Sequence, residues 1–303
     1  MPGPIAYLNG RYLPQAELAL PLHDAGFVFG ATVTDLCRTF HHRLFRLNDH
    51  LARFRRSCDL ACVPQPLSDE ELAQIAEKLV TENTALLAPE QDLALIMIAT
   101  PGGIGHLIGQ TGSAGEAPPT LAMHTFPLPF SRYRPLFEEG ARLIIPKIQH
   151  IPAACIDPRI KQRSRLHWWL AEREAARVSP GSSALLLDTV GHITETAAAN
   201  FLLVRAGTVT TPPRHTVLGG ISLQVTEELC KDLGIPFEER PLSLRDCLNA
   251  DEAMLSSTPY CLAGVSRIQD TPLPWPGPIF EKLLAGWNRL VGLDLRGQIL
   301  SGR

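Results

Sequence analysis

The sequence predicts a mixed α+β fold built as two domains, 1–126 and 135–303. Short apolar runs typical of strands alternate with amphipathic runs at helical spacing along the chain. The alternation occurs twice, and a segment with prolines, 127–134, separates the two groups as a linker. At 303 residues, of which 45% are hydrophobic, the chain is long enough to bury two such cores.

The first domain is predicted to combine β-hairpins with two amphipathic helices. Asn9-Gly10, the most favoured two-residue hairpin turn, separates two short apolar runs. One helix is predicted to begin at Asn48, and a capping box over 68–71 begins the next. The apolar run 93–100 predicts a buried strand, which a glycine-rich loop, 101–119, follows.

The second domain repeats the alternation with different elements. Its strands and hairpins are bounded by turn residues, and they are predicted at 141–148, 184–194, 200–211 and 252–258. Its helices show apolar residues at helical spacing, and they are predicted at 164–178, 222–233 and 279–291. Ser164 is the predicted N-cap of the first of these helices, because serine oxygens accept from free backbone N–H groups.

Composition and charge argue against several classes of protein. The 28 basic and 31 acidic residues give a net charge of −3, so nothing favours binding to nucleic acid or to an anionic membrane. The N-terminus lacks a basic region followed by an apolar run, and the apolar run 93–99 is too short to span a bilayer. Cys58 and Cys62 lie four apart, but no second pair completes a zinc site. We therefore expect a cytoplasmic protein that holds no metal.

Lys161 stands out because the chain contains only five lysines against 23 arginines. The other four lysines fit exposed positions on predicted helices or a strand. Lys161 instead precedes a predicted helix and is bracketed by Ile160 and several arginines. Positive neighbours lower the pKa of a lysine, as a nucleophilic amine requires. An exposed lysine in a basic loop is the alternative, and this pattern alone favours it.

Polar residues downstream change that balance. Glu195 lies between a predicted hairpin and a run of small residues that ends at Asn200. Gly219-Gly220 precede a helix that begins at Ser222, and a helix N-terminus with glycines and a hydroxyl can bind phosphate. The strand in 252–258 ends in three hydroxyl residues that could meet the same anion. Taken singly, Glu195 could be a surface carboxylate and Ser222 only an N-cap.

Taken together and in this order, these segments resemble the fold type IV pyridoxal-phosphate enzymes. The matching stretches are "IKQRSRLHWWLAEREA", "GHITETAAANF", "VLGGIS" and "DEAMLSST", together with the N-terminal stretch from "YLNGRYL" to "HLARF". The resemblance covers nearly the whole chain. The family includes branched-chain and D-amino-acid aminotransferases, R-selective amine transaminases and 4-amino-4-deoxychorismate lyase. The resemblance implies a two-domain fold of the D-amino-acid aminotransferase type.

The resemblance also implies roles for residues toward pyridoxal 5'-phosphate. Lys161 falls on the lysine that forms the Schiff base and later moves a proton. Glu195 falls on the glutamate that pairs with the pyridine nitrogen and keeps the ring an electron sink. Leu218 falls on the residue that packs against the ring. The positions that contact the phosphate are Arg53, Ile221, Ser222 and Thr258. For Arg53, the alternative is a solvated arginine like its neighbours.

The substrate side departs from the family pattern. The triplet 100–102 reads Thr-Pro-Gly where D-amino-acid aminotransferases carry an arginine, and Pro259 has no N–H to offer a carboxylate. Thr34 stands where the family has an aromatic residue. Arg38 is the predicted carboxylate-binding residue, with Arg163 and Arg165 as further candidates, and the alternative for Arg38 is a paired strand arginine.

The resemblance favours a transaminase that moves an amino group from an amino acid, branched-chain or other, to a 2-oxo acid. The alternative is a lyase of the aminodeoxychorismate type, which uses the same cofactor to release pyruvate by β-elimination. A non-catalytic vitamin-binding protein is disfavoured, because binding alone does not require Lys161 together with a carboxylate, Glu195, that keeps the ring an electron sink.

Family enzymes build their sites at a dimer interface, so the resemblance implies a homodimer. The loop 101–119 is the predicted segment that closes the partner's pocket. A nucleotide-binding interpretation of this loop is rejected, because no Gly-Lys-Ser/Thr follows and no helical pattern begins there.

Overall fold

The computed structural model describes residues 3–108 and 118–302. The mixed α+β class is confirmed. The chain divides into two compact units, the first comprising Met1–Leu128 and Ile160–Ser164, the second Pro129–Arg159 and Arg165–Arg303. The predicted domains, 1–126 and 135–303, with the linker 127–134, stay predictions. The predicted closing loop, 101–119, includes residues 109–117, which lie outside the described residues.

The first unit contains an antiparallel sheet that carries the predicted hairpin at Asn9-Gly10. Both turn residues have positive φ, 45° and 86°, which suits Asn and Gly. The strands run in the spatial order β2-β1-β6-β5-β3-β4. They are β1 (Ile5–Leu8), β2 (Arg11–Pro14), β3 (Val33–Phe40), β4 (Arg43–Leu44), β5 (Leu93–Thr100) and β6 (Thr120–Pro127).

Helices cover one side of this sheet and close its core. Their bounds are α1 (Ala25–Val28), α2 (Leu47–Leu60) and α3 (Asp69–Thr84). The predicted capping box is confirmed: the Glu71 N–H donates to Ser68 Oγ at 3.2 Å, and Glu71 Oε2 accepts from the Ser68 N–H at 2.7 Å. The apolar stripes of α2 and α3, represented by Phe54 and Leu79, pack with β5 residues such as Met97. Burying these side chains removes apolar surface from water and stabilises the unit.

A short segment of the chain, 160–164, joins the first unit by pairing with the start of β3. The Thr34 N–H donates to the Lys161 carbonyl at 2.8 Å, and the Arg163 N–H donates to the Thr32 carbonyl at 2.9 Å. Ser164 is not a helix N-cap as predicted. Its hydroxyl donates instead to the Gly30 carbonyl at 2.8 Å, and the following helix begins two residues later with Arg165 as its N-cap.

The second unit contains a sheet that closes on itself. Its strands are, in chain order, β7 (Ala141–Ile144), β8 (Ser183–Leu187), β9 (Ile193–Thr196), β10 (Asn200–Arg205), β11 (Thr208–Thr211), β12 (Phe237–Glu239), β13 (Glu252–Ser257), β14 (Cys261–Ile268) and β15 (Thr271–Pro272). The order β12-β11-β10-β13-β14-β7-β8-β9 returns to β10, because Glu195 pairs with Asn200. The strand β7 runs parallel to both β8 and β14.

Helices surround this second sheet. They are α4 (Phe130–Glu138), α5 (Leu166–Val178), α6 (Ile221–Asp232), α7 (Leu244–Leu248), α8 (Pro278–Val291) and α9 (Leu295–Ser301). Trp168 and Ala171 of α5 pack against Ile144 and Leu186 of the sheet. Across residues 3–108 and 118–302, no helix is long and apolar enough to cross a membrane.

Candidate active site

Lys161 is fixed through its main chain in the first unit. Its N–H donates to Ser57 Oγ at 3.2 Å, and its carbonyl accepts from Thr34 as described above. The residue is half-buried. Its positive charge, after burial and the charge of Arg53, helps to lower the pKa of His50. Lys161 therefore lies close to a buried polar cluster rather than in an open basic loop.

That cluster consists of Asp35, His50 and Arg53, all nearly inaccessible to solvent. Arg53 grips the Asp35 carboxylate with two hydrogen bonds, Nε to Oδ2 and Nη2 to Oδ1, each 2.8 Å. His50 Nδ1 lies 2.7 Å from Asp35 Oδ1. Burial alone would raise the pKa of Asp35, but Arg53 and His50 outweigh it and hold that pKa well below its usual range. Because Asp35 is an ionised acceptor, His50 Nδ1 carries a proton.

Arg53 is therefore a buried, ordered cation, and the solvated alternative is wrong, since the residue is only 2% exposed. Sequence reasoning missed Asp35 and His50. Two signals could have found them. A charged residue interrupts the apolar strand at Asp35, and His50 and Arg53 stand three apart, hence on one face of a helix.

Arg38 lies in β3, the strand that carries Asp35, and is only 1% exposed. Its Nη2 lies 3.6 Å from Asp92 Oδ2, its Nε donates to the Thr39 carbonyl at 3.1 Å, and its guanidinium stacks 3.9 Å from the centre of the Phe40 ring. A buried cation with a carboxylate partner fits the paired-arginine alternative. The substrate role of Arg38 stays a prediction.

Thr34 and Arg163 come together in the first unit. Arg163 Nη2 lies 3.4 Å from Thr34 Oγ1, which itself donates to the Met97 carbonyl at 3.0 Å. Arg163 is exposed as a whole residue, and partial loss of hydration lowers its pKa. Burial lowers the pKa of His124, and the charge of Arg163 lowers it further. A guanidinium group thus lies two residues along the chain from Lys161.

Glu195 is held at the closing point of the second sheet. It is 9% exposed and accepts from Asn200 Nδ2 at 3.0 Å. The Leu218 N–H points at both carboxylate oxygens, 3.3 Å from each, while the Leu218 carbonyl accepts from Asn200 at 2.8 Å. His150 Nε2 lies 3.6 Å from Glu195 Oε1. The surface-carboxylate alternative for Glu195 is wrong. Sequence reasoning missed His150, whose loop shows no periodicity.

Helix α6 begins directly after Gly220, where sequence analysis placed a phosphate site. Among the described residues, no side chain caps its N-terminus, so the hydroxyl of Ser222 is not an N-cap. Gly220 is required there, because a Cβ atom would lie 2.0 Å from Asn200 Oδ1. Ile221 and Ser222 are both buried, so the first N–H groups of this twelve-residue helix lie in a sheltered site that suits an anion.

The end of β13 adds hydroxyl groups. Ser256 pairs with Asn200 across the sheet, so their side chains share one face. Ser256 Oγ is buried without a hydrogen-bond partner among the described residues. Ser257 Oγ donates to the Ala198 carbonyl at 2.6 Å, and Thr258 follows, half-buried, in the turn. A buried orphan hydroxyl indicates a missing polar group.

Arg165 reaches the loop after Glu195, where its Nη2 donates to the Ala197 carbonyl. His167 lies beside it, and burial, His150 and Arg165 together lower the pKa of His167 to about 4. In residues 3–108 and 118–302, no group of three or more His, Cys, Asp or Glu residues is arranged to hold a metal ion.

The sequence model of the family described as amino-transferase class IV matches residues 32–268 of the chain. The chain belongs to this family. It is 29% identical over 254 residues, 83% of each chain, to a Methanocaldococcus jannaschii protein provisionally assigned as a branched-chain-amino-acid aminotransferase. It is 25% identical over 292 residues to a D-alanine aminotransferase of Staphylococcus aureus, covering 94% of this chain and 97% of the relative.

Solved structures share the fold. The branched-chain amino acid aminotransferase of Escherichia coli superposes with a TM-score of 0.85 at 22% identity, covering 96% of this chain and 95% of that one. The branched-chain aminotransferase of Thermoproteus uzoniensis gives 0.82 at 23% identity, with coverages of 97% and 95%. The fold type IV prediction is confirmed, and the chain is a transaminase of class IV, a family whose members use pyridoxal phosphate. The relatives do not favour the lyase alternative.

Proposed function

We propose that this chain transfers an amino group from an amino acid to a 2-oxo acid, with pyridoxal 5'-phosphate attached covalently to Lys161. The observation that carries the proposal is Glu195, a buried carboxylate oriented by Asn200 and by the Leu218 N–H. Such a carboxylate suits a protonated ring nitrogen. Membership of class IV supports the same cofactor.

The residues present fit the phosphate of this cofactor. The helix α6 N-terminus lacks a side-chain cap among the described residues, and the Ser256 hydroxyl is buried without a partner there. Both features suit a phosphate dianion. The predicted phosphate contacts are Arg53, Ile221, Ser222 and Thr258, and Leu218 is the predicted ring contact.

Each residue then has a distinct task. The cofactor supplies a carbonyl group that takes up the amino group and a ring that accepts electrons. The Lys161 amine would move a proton between the substrate α-carbon and the C4′ carbon of the bound cofactor, from the α-carbon in one half-reaction and back to it in the other. The Glu195 carboxylate holds the proton on the ring nitrogen. Asp35 keeps the Arg53 guanidinium in one orientation by its two-pronged contact.

The substrate is proposed to be an α-amino acid, with a 2-oxo acid as acceptor. Thr34, Arg38 and Arg165 remain the predicted substrate-binding residues. The hydrogen bond between Arg163 and Thr34 adds Arg163 as a candidate carboxylate partner. Branched-chain and D-alanine specificities are those of the relatives, and each is a candidate here.

A homodimer and a cytoplasmic location are further proposals. Large apolar side chains are exposed in each unit: Leu22, Phe27 and Phe29 in the first, and Leu166 and Trp169 in the second, at 57–76% of their surface. Leu22, Phe27 and Phe29 lie within eight residues of one another, and exposed apolar groups that form one patch are typical of surfaces that another chain covers. The family resemblance supports a second copy of the same chain as that partner.

Borohydride reduction tests the covalent attachment. It should fix the cofactor irreversibly, and peptide mapping should find it on Lys161. Lys161→Arg should abolish the fixed label, because arginine cannot form a Schiff base. Lys147→Arg is the matched control: Lys147 is exposed, and the variant should label like the wild type. A cofactor fixed on Lys147 instead, or no fixed cofactor in the wild type, would contradict the proposal.

A further inference from the structure

His150 is a half-buried histidine with no task in the proposed reaction. It lies in the loop between β7 and α5, and its side chain is 10% exposed. Its main-chain N–H donates to the Leu187 carbonyl at 2.8 Å, which ties this loop to the end of β8. The ring packs edge-on against Trp168, with 5.5 Å between ring centres. The position of the imidazole is therefore fixed by main chain and packing together.

The tautomer of His150 follows from its hydrogen bond. Nδ1 lies 2.9 Å from the Ile151 carbonyl oxygen, and a carbonyl only accepts, so Nδ1 carries a proton in every charge state. Nε2 faces Glu195 Oε1 at 3.6 Å. A neutral ring therefore presents a lone pair to the carboxylate, whereas a protonated ring presents an N–H and a positive charge. Protonation switches this contact from unfavourable to favourable.

The charged groups around His150 favour its protonated form. Burial alone would lower its pKa, but Glu195, then the hydrogen bond to the Ile151 carbonyl, and then Asp188, just after β8, raise it above the ordinary value. His167 of α5 is the other titratable neighbour, with 5.9 Å between ring centres, and its pKa of about 4 leaves it neutral. Arg165, whose Nη2 donates to the Ala197 carbonyl, is the other cation in this region, and of the two only His150 can lose its charge in the range where histidines titrate.

We propose that His150 is a positioning residue for Glu195, whose protonation draws part of the carboxylate charge toward Oε1 and so sets how strongly Glu195 holds the ring proton. The inference rests on the proposed pairing of Glu195 with the cofactor ring. His150 and the ring nitrogen are two cations that share one carboxylate, so each proton weakens the hold on the other. A neutral His150 leaves the whole carboxylate charge to the ring.

Histidine NMR tests the first half without relying on activity. In the purified holoenzyme, the His150 signal, assigned by its loss in His150→Gln, should titrate above about pH 6.5, the ordinary value. In Glu195→Gln the titration midpoint of His150 should fall, because burial lowers the pKa of His150 and the carboxylate charge that opposes this effect is gone. A midpoint that does not move in Glu195→Gln would overturn the proposal. This readout stands even if borohydride labelling contradicts the proposed function.

The pH profile of kcat tests the second half. Wild-type kcat should rise with pH through the His150 midpoint, as the ring proton is held more strongly. Glutamine can donate a hydrogen bond but does not titrate, so His150→Gln should lose this transition. Its kcat should vary by less than about twofold over the same pH range, a smaller change than the ionisation of one controlling group would give. His215→Gln, at an exposed histidine, is the matched control and should keep the wild-type profile. An unchanged transition in His150→Gln, or a wild-type kcat that falls there, would refute the role.

Discussion

Replacing Asp35 with asparagine tests the buried cluster behind Lys161. The substitution keeps the shape of the side chain but removes the charge that receives two 2.8 Å hydrogen bonds from Arg53. Asp35 is fully buried and Arg53 is 2% exposed, so in the cofactor-free protein, which is the form to be melted, the guanidinium would lose its counter-charge in a place that water scarcely reaches. Breaking a buried ion pair from one side costs about 3–5 kcal/mol, and an acceptor oxygen remains, so we expect about 3 kcal/mol.

Thermal unfolding measures this loss. An unfolding entropy of about 2.1 cal/mol/K per residue makes each kcal/mol worth about 1.6 °C for a chain of 303 residues, so Asp35→Asn should melt about 5 °C lower at neutral pH. Asp59→Asn, at an exposed position on the same helix as Arg53, is the matched control and should change the melting temperature little. A loss below about 1 kcal/mol would show that the cluster is not stabilising.

The pH dependence of the difference gives a second check. The pKa of Asp35 is held below its usual range in the folded protein by Arg53 and His50, which outweigh burial. Its contribution is therefore complete above the unfolded value near 3.9 and is lost as the pH falls through the lower folded value. The gap between wild type and Asp35→Asn should narrow below about pH 4. A gap that stays constant from neutral to acid pH would refute the electrostatic account.

Two further predictions concern substrate and assembly. Arg38→Leu should lower the melting temperature, because the buried Asp92 carboxylate would lose the guanidinium beside it. Arg163→Leu should raise KM for carboxylate substrates at nearly unchanged stability. A KM effect confined to Arg38→Leu would restore the substrate role to Arg38. Light scattering coupled to size exclusion should give twice the mass of one chain, and a fully active monomer would contradict the proposed homodimer.

Local sequence patterns predict many elements of the fold. The capping box at Ser68 and the hairpin at Asn9-Gly10 are decided by neighbours in sequence, so they could be predicted. The predicted N-cap at Ser164 is wrong, because the Ser164 hydroxyl donates to the Gly30 carbonyl, far away along the chain. A tertiary contact there overrides a local preference.

The same distinction holds for the site. Lys161 could be singled out from lysine scarcity, and Glu195 from the resemblance. Local signals mark Asp35 and His50 as unusual residues, but their pairing joins a strand to a helix, and that contact could not be predicted from neighbours in sequence. The role of His150 depends on a 3.6 Å approach to a strand far along the chain, which periodicity cannot reveal.

The pairing of 160–164 with β3 has a consequence for folding. The other neighbour on that edge of β3 is β4, which pairs only with Thr39 and Phe40. Without 160–164, the Thr34 N–H and the Thr32 carbonyl would stand unpaired beside an apolar strand. Exposed strand edges of this kind recruit strands from other chains. During synthesis the edge stays open until residue 164 has emerged, and a chain truncated before 160 would leave it permanently available for aggregation.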